Sequence, residues 1–309
     1  MPAIKCENLT KRYGPVVALD NLTLEIPAHS VFGFLGPNGA GKTTAIKLLM
    51  GLARPSAGQA WIDGAILGAP ELKERVSYLP DVPAFYSWMT GQEFLLFTAD
   101  LFRMDPTAAR SRTAEILALV GLTGAAKRRV GGYSRGMRQR LGIAQALVNK
   151  PQVLFLDEPV SALDPIGRRD VLELILRLKE ETTVFMSTHI LSDVERVCDT
   201  VGIIDRGKLK TVSSVIQLQE RYAPSVFEIE LEEDPDCLRP AIEPRPWAIK
   251  IEKANDAQTP VLRVQVNDAN TAKKELPQII AASNASLVRY ELVMPSLEDI
   301  FLEMVGGTS

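Results

Sequence analysis

Hydrophobic and polar residues fall into two rhythms along this chain, and the points where one replaces the other divide it. Leu22, Leu24 and Ile26 alternate with Thr23 and Glu25, the period of two expected of a strand with one buried face. Pro27-Ala28-His29-Ser30 reads as a turn. The run Val31-Phe32-Gly33-Phe34-Leu35 that follows is apolar throughout and predicts a strand buried on both faces. Next, Thr44 to Met50 suits a helix with one apolar face. From about Gly91 to Val148 the spacing lengthens to three and four, through Phe94, Leu95, Phe97 and Leu101, then Ile116, Leu117, Val120 and Leu122. This predicts a helical insertion within the sheet. Sheet character returns at Val153-Leu154-Phe155-Leu156 and Thr183-Val184-Phe185-Met186, separated by the helical pattern of Val171, Leu172, Ile175 and Leu178. Such an order is a β-α-β unit with a parallel sheet, so the first part of the chain is α/β.

After Val201-Gly202-Ile203-Ile204 a short helical pattern near Ile216 and Leu218 leads to Ala223-Pro224-Ser225, a boundary signal. The expected domains are therefore residues 1–222, with the helical subdomain at about 91–150, and residues 223–309. In the second, Phe227, Ile229 and Leu231 alternate with glutamates, and further strands are expected at Val261 to Val266 and Leu287 to Tyr290. A helix from about Thr271 to Ala282 lies between those two. Ser296-Leu297-Glu298-Asp299 reads as the capped start of a final helix with Leu297, Ile300, Phe301 and Met304 on one face. A small α+β domain results.

Composition restricts the classes. At 309 residues with 46% hydrophobic and 24% charged, the chain can bury a substantial core. A formal charge of −3 gives no basic footprint, so no nucleic acid is expected as a partner. Cys6, Cys198 and Cys237 are far apart without CxxC spacing, which favours a reducing cytoplasm over a disulfide framework or a zinc site. No segment approaches the roughly 18 consecutive apolar residues of a membrane helix, and the first residues lack a long apolar signal core. Any membrane role would need another chain to cross the bilayer.

Between the buried strand and the following helix stands Gly36-Pro37-Asn38-Gly39-Ala40-Gly41-Lys42-Thr43-Thr44. Glycines there let backbone N–H groups surround phosphate oxygens at a helix N-terminus. The spacing G-x-x-x-x-G-K-[ST] places Lys42 on the β/γ-phosphates and the Thr43 hydroxyl on Mg²⁺. A flexible turn would explain the glycines but not the Lys-Thr. Asp157 and Glu158 end a buried strand. Beside a phosphate loop, Asp157 can hold Mg²⁺ directly or through water, and Glu158 can orient and deprotonate an attacking water. His189 follows the next strand, whose end converges on the same ligand edge, and is assigned a γ-phosphate contact. Ser134 opens a polar entry to the helix Leu141 to Leu147. It suits either an ordinary N-cap or a phosphate contact.

Taken together, the stretch from about Ile4 to Gly207 resembles the ATP-binding subunit of ATP-binding cassette transporters. Gly36 to Thr43 is similar to the family's Walker A loop, Leu154 to Pro159 to its Walker B segment, Ser161-Ala162-Leu163-Asp164 to its D-loop and His189 to its switch histidine. Tyr133-Ser134-Arg135-Gly136-Met137 occupies the place of a signature that usually reads Leu-Ser-Gly-Gly-Gln, so that Ser134 and Gly136 match while Tyr133, Arg135 and Met137 depart. The resemblance implies a P-loop NTPase cassette that dimerises head to tail, with Ser134 and the Gly136 backbone closing on ATP held by the opposite subunit. It also implies that Tyr13 stacks on adenine, against the alternative of a sheet aromatic. Asp81 occupies the Q-loop position where glutamine is usual. A carboxylate there can face Mg²⁺ but cannot donate an amide hydrogen bond. Phe85-Tyr86-Ser87-Trp88-Met89 lies where the family docks its membrane partner, although buried packing would explain the same residues.

The resemblance implies an ATPase with ATP and Mg²⁺ as cofactors, working as a homodimer or with a paralogous cassette. It would sit in the cytoplasm, peripheral on the inner face of the membrane, and drive a separate transmembrane permease. The segment Tyr133 to Arg140 and the C-terminal Pro295 to Leu302 resemble the subgroup paired with ABC-2-type permeases, commonly exporters. Competing readings are a soluble cassette ATPase of DNA maintenance or translation and a nucleotide-dependent regulatory module. No long coiled-coil insertion or second cassette speaks for the first, and the Asp157-Glu158 pair argues against the second.

Overall fold

A computed structural model describes residues 2–161, 163–222, 225–256, 259–293, 297–298 and 300–301. The chain runs β1 (Pro2–Tyr13), β2 (Val16–Pro27), β3 (Val31–Leu35), α1 (Lys42–Leu49), β4 (Ala57–Ile62), β5 (Ala65–Ile66), α2 (Leu72–Arg75) and β6 (Val76–Leu79). Three helices follow, α3 (Gly91–Leu101), α4 (Pro106–Leu119) and α5 (Arg135–Ala146). Then come β7 (Val153–Asp157), α6 (Pro165–Leu178), β8 (Thr183–Thr188), α7 (Leu191–Val197), β9 (Thr200–Asp205) and β10 (Lys208–Ser214). The last part holds α8 (Val215–Tyr222), β11 (Ser225–Leu231), α9 (Arg239–Ile242), β12 (Ala248–Asp256), β13 (Thr259–Val266), α10 (Ala269–Ala282) and β14 (Leu287–Val293).

Two compact units result, Met1–Val215 and Ile216–Ser309. The division falls at the start of α8 rather than after it, because the ladder between β9 and β10 runs out at Ser214. In the first unit β2-β1-β4-β5 forms an antiparallel sheet, and β10-β9-β3-β8-β7-β6 forms a second sheet that is parallel except between β10 and β9. Strands β3, β7 and β8 are buried at every position, as their apolar runs require in a parallel sheet covered on both faces. Phe185 lies at their centre, with its ring centroid 5.3 Å from Phe32, 5.4 Å from Phe34 and 5.5 Å from Phe155. The same core takes in Ile4, Leu9, Leu22 and Ile26 of the antiparallel sheet together with Ile46 and Leu49 of α1. One core therefore holds both sheets and the helix that follows the glycine-rich loop.

The helical insertion is delimited by its caps. Thr90 and Glu93 exchange hydrogen bonds in a capping box at α3, and Asp105 with Pro106 starts α4. Helix α5 begins at Arg135, earlier than the Leu141 start expected from the sequence, because the Ser134 hydroxyl accepts from the Met137 N–H at 3.2 Å and caps the polar turn as helix. In the second unit the antiparallel order is β12-β13-β11-β14. Phe227, Ile229, Leu262 and Val264 pack with Leu276 and Ile280 of α10. Helix α10 begins at Ala269 rather than Thr271, since Asp268 accepts from the N–H groups of Asn270 and Thr271. Leu297 and Ile300 are buried. Ser296, Asp299 and Met304 of the expected final helix lie outside the described residues.

Phe185→Ala is expected to lower the unfolding free energy of the first unit by about 3–5 kcal/mol, since three neighbouring rings lose their common contact. Urea denaturation checks this; a loss below about 1 kcal/mol would mean that the surrounding core closes over the site.

Candidate functional site

The carboxyl ends of β3, β7 and β8 lie side by side, and each leads directly into residues of the site. After β3 the chain forms a glycine-rich loop and enters α1 at Lys42. Two of its glycines answer to close approach. A Cβ at Gly36 would overlap the Ile204 carbonyl, and one at Gly41, whose φ is +109°, would overlap the Ala18 carbonyl. Neither a side-chain cap nor an acidic residue occupies the first turn of α1, which leaves its N–H groups and positive dipole end directed at the loop. Lys42 is buried; its ammonium donates to the Gly36 carbonyl at 2.7 Å and the Pro37 carbonyl at 3.3 Å and forms an ion pair with Glu158 Oε1 at 3.5 Å.

At the end of β7, Asp157 is buried with hydroxyls around it. Thr43 donates to its Oδ2 at 3.0 Å, Tyr78 donates to the same oxygen at 3.3 Å, and Ser187 donates to Oδ1. Burial, followed by the Asp157 charge, pushes the Tyr78 phenol up to about 12, so at neutral pH it is a donor. Glu158 adopts φ +48° and its N–H bonds to the Ser187 carbonyl at 3.0 Å. Its carboxylate reaches Lys42 through Oε1 and the His189 Nδ1, at 2.9 Å, through Oε2. Two consecutive acids thus meet the first two residues of α1.

A cleft of about 560 Å³ opens beside this constellation, lined by Pro37 to Thr44, Val16 to Ala18, Asp81, Asp157, Glu158, Arg206 and Gly207. Asp81 meets the segment after Glu158: Ser161 Oγ lies 3.0 Å from Asp81 Oδ1 and 3.2 Å from the Glu158 carbonyl. His189 is exposed and joins the site through Glu158. Tyr13 is exposed, with the Lys11 ammonium 4.8 Å from its ring centroid, and stands outside the residues lining the cleft. Ser134, Arg135, Gly136 and Met137 form the capped start of α5 and do not line it either. Leu163 and Asp164 precede α6, and a Cβ at Gly136 would come 3.9 Å from Leu163. Ala162 lies outside the described residues.

Tyr78, Ser187 and Arg206 were not marked by sequence spacing. Strand register carries the signal for the first two: Tyr78 pairs with Phe155, and Ser187 pairs with Asp157 itself. In the aromatic segment, Phe85 packs on Phe94 with centroids 5.1 Å apart, whereas Trp88 lies tilted against Tyr86 at 5.0 Å and stays exposed. Among the described residues no helix is long and apolar enough to cross a membrane.

Known proteins are similar to this chain in sequence and fold. Residues 19–161 match the ABC transporter family, and residues 214–305 match the C-terminal domain of ATP-binding proteins like DrrA1-3. The chain is 38% identical over 303 residues to the uncharacterized ABC transporter ATP-binding protein YxlF of Bacillus subtilis (strain 168), covering 98% of this chain and 99% of that one. It is 35% identical over 308 residues to the bacitracin transport ATP-binding protein BcrA of Bacillus licheniformis, covering 98% and 97%. To the linearmycin resistance ATP-binding protein LnrL of Bacillus subtilis (strain 168) it is 29% identical, covering 99% of both chains. Among solved structures, cbiO1 from Clostridium perfringens, part of the transporter complex cbiONQ, superposes with a TM-score of 0.67 at 25% identity, over 71% of this chain and 91% of that one. The ATP-binding cassette MJ0796, solved as a dimer in a post-hydrolysis state with ADP and Pi, gives 0.62 at 23% identity, over 69% and 98%. With a P-loop NTPase cassette, its helical subdomain and a small α+β domain after it, the chain belongs to the ATP-binding subunits of ABC transporters.

Proposed function

We propose that this subunit hydrolyses ATP to power a separate membrane permease in export. The pairing of Thr43 with Asp157 and of Lys42 with Glu158 carries the reading. Thr43 and Asp157 offer hard oxygen donors 3.0 Å apart at the mouth of the loop, a set suited to Mg²⁺, which is usually held by one or two protein oxygens together with substrate phosphates. When bound, the ion neutralises phosphate charge. Residues Asn38 to Thr44 surround the phosphates with backbone N–H groups, and Lys42 reaches the β/γ-phosphate oxygens. Glu158 takes a proton from a water whose oxygen attacks the γ-phosphorus; the bond from that phosphorus to the β–γ bridging oxygen breaks, giving ADP and phosphate. His189, already bonded to Glu158, orients that carboxylate and contacts the γ-phosphate. Tyr13 stacks on adenine.

Two copies close on ATP, with Ser134 and the Gly136 backbone contacting the nucleotide held by the opposite copy or by a paralogous cassette. A cassette of the same fold has been solved as a dimer with ADP and Pi, which supports the pairing of two copies. The exposed Trp88 and Tyr86 provide an aromatic surface for the permease, and the subunit lies on the inner face of the membrane. Export is favoured by similarity to relatives named for bacitracin transport and linearmycin resistance. Co-purification from membranes with a polytopic chain tests the partnership, and ATP-driven uptake into inverted vesicles tests the direction.

Glu158→Gln should retain ATP binding while turnover falls by at least about 10²-fold, because an amide accepts no proton. Steady-state hydrolysis near the wild-type rate would remove Glu158 from the base role. For Ser134, a chain carrying Ser134→Arg is mixed with one carrying Lys42→Ala, each inactive alone. The mixed dimer joins the intact loop of the first to the intact Ser134 of the second, so ATP retention at one site and partial hydrolysis should return. Absence of ATP retention in demonstrated mixed dimers would leave Ser134 as a helix cap only.

A further inference from the structure

Asp157 Oδ2 receives two hydroxyls with different obligations. Thr43 donates to it at 3.0 Å from the start of α1, and Tyr78 donates at 3.3 Å from β6. Oδ1 is held by Ser187 of β8. Donors on β6 and β8 therefore grip the carboxylate from the two strands that flank β7. This matters because the last torsion of an aspartate is broad and roughly two-fold when nothing fixes it. The Tyr78 ring is anchored, packing against the core shared by the antiparallel sheet and α1. Its hydroxyl reaches past that core to Asp157.

From this geometry we infer that Tyr78 is a positioning residue for metal–nucleotide binding: its hydroxyl holds Asp157 Oδ2 in place when Thr43 turns its oxygen to the metal. The inference rests on the reading of Thr43 and Asp157 as Mg²⁺ ligands. Thr43 has two duties in that reading and Tyr78 has one, so the phenol supplies the constant hydrogen bond. Partners in the shell around a metal ligand act in this way, by fixing its orientation rather than by touching the ion.

The test uses the full chain with Mn²⁺ as the probe. Free Mn²⁺ is followed by electron paramagnetic resonance in the presence of a non-hydrolysable ATP analogue, and affinity for the analogue alone is measured in EDTA. Tyr78→Phe keeps the ring and removes only the hydroxyl. It should weaken Mn²⁺ binding about threefold to tenfold, the range of one hydrogen bond, while affinity in EDTA stays within about twofold. Asp157→Asn and, as a second control, Thr43→Ala should weaken Mn²⁺ more than Tyr78→Phe does. Unchanged Mn²⁺ affinity in Tyr78→Phe, with both controls weakened, would overturn the role of Tyr78 and leave the metal reading standing. Unchanged affinity in both controls would overturn the metal reading and the inference with it. An equal loss in EDTA and with Mn²⁺ would make Tyr78 a packing residue of the loop and would also overturn the inference.

Discussion

Consecutive residues of a strand point to opposite faces of a sheet, so two adjacent carboxylates serve one ligand only if the chain turns between them. Here the turn is at Glu158, which adopts φ +48° at the end of β7. A non-glycine residue in the left-handed region costs on the order of 1–3 kcal/mol. The Glu158 N–H offsets part of this by bonding to the Ser187 carbonyl at 3.0 Å, extending the ladder to β8 by one more bond. Both acids then face the start of α1, Asp157 toward Thr43 and Glu158 toward Lys42. The register of β8 against β7 is therefore a condition for the site, as is the buried phenylalanine cluster that holds those strands together.

Charge balance follows from the same turn. Lys42 is buried, and a buried ammonium without partners would cost several kcal/mol. Two carbonyls of its own loop, as acceptors, and the ion pair with Glu158 stabilise both the lysine and the loop conformation. Glu158 is held on its other side by His189. Lys42 is thereby fixed at the start of α1 with its charge balanced, and the same ammonium is the group assigned to phosphate.

Motifs that act through fixed spacing were legible in the sequence, since glycines, lysine and hydroxyl in a strand-loop-helix context admit few other uses. The three central strands were equally plain because burial on both faces leaves continuous apolar runs. Strands with polar composition were not. β4 has three exposed positions before its buried Ala60 and Ile62, and β12 is built from residues such as Lys250, Glu252 and Lys253 at one edge of its sheet. The turn Arg135 to Arg140 did not read as helix from its apolar spacing, whereas the N-cap expected as one of the two roles of Ser134 is present. Tyr78 and Ser187 escaped for a different reason: their roles depend on which residues face each other across strands, and register is a property of the sheet.

Asp81 lines the cleft at a position where the family usually carries glutamine, and its surroundings follow from the chemistry of a carboxylate. Glutamine, usual at this position, both donates and accepts, while a carboxylate only accepts. The neighbour of Asp81 must then supply the proton, and Ser161 Oγ does so at 3.0 Å. The same hydroxyl oxygen lies 3.2 Å from the Glu158 carbonyl, so the segment that leaves β6 and the turn that carries Glu158 meet at one serine. A donor on the facing segment thus meets a side chain that only accepts. Hydrogen-bond complementarity between the two segments is the requirement at this corner of the site, and an acid with a serine meets it as an amide with an acceptor would.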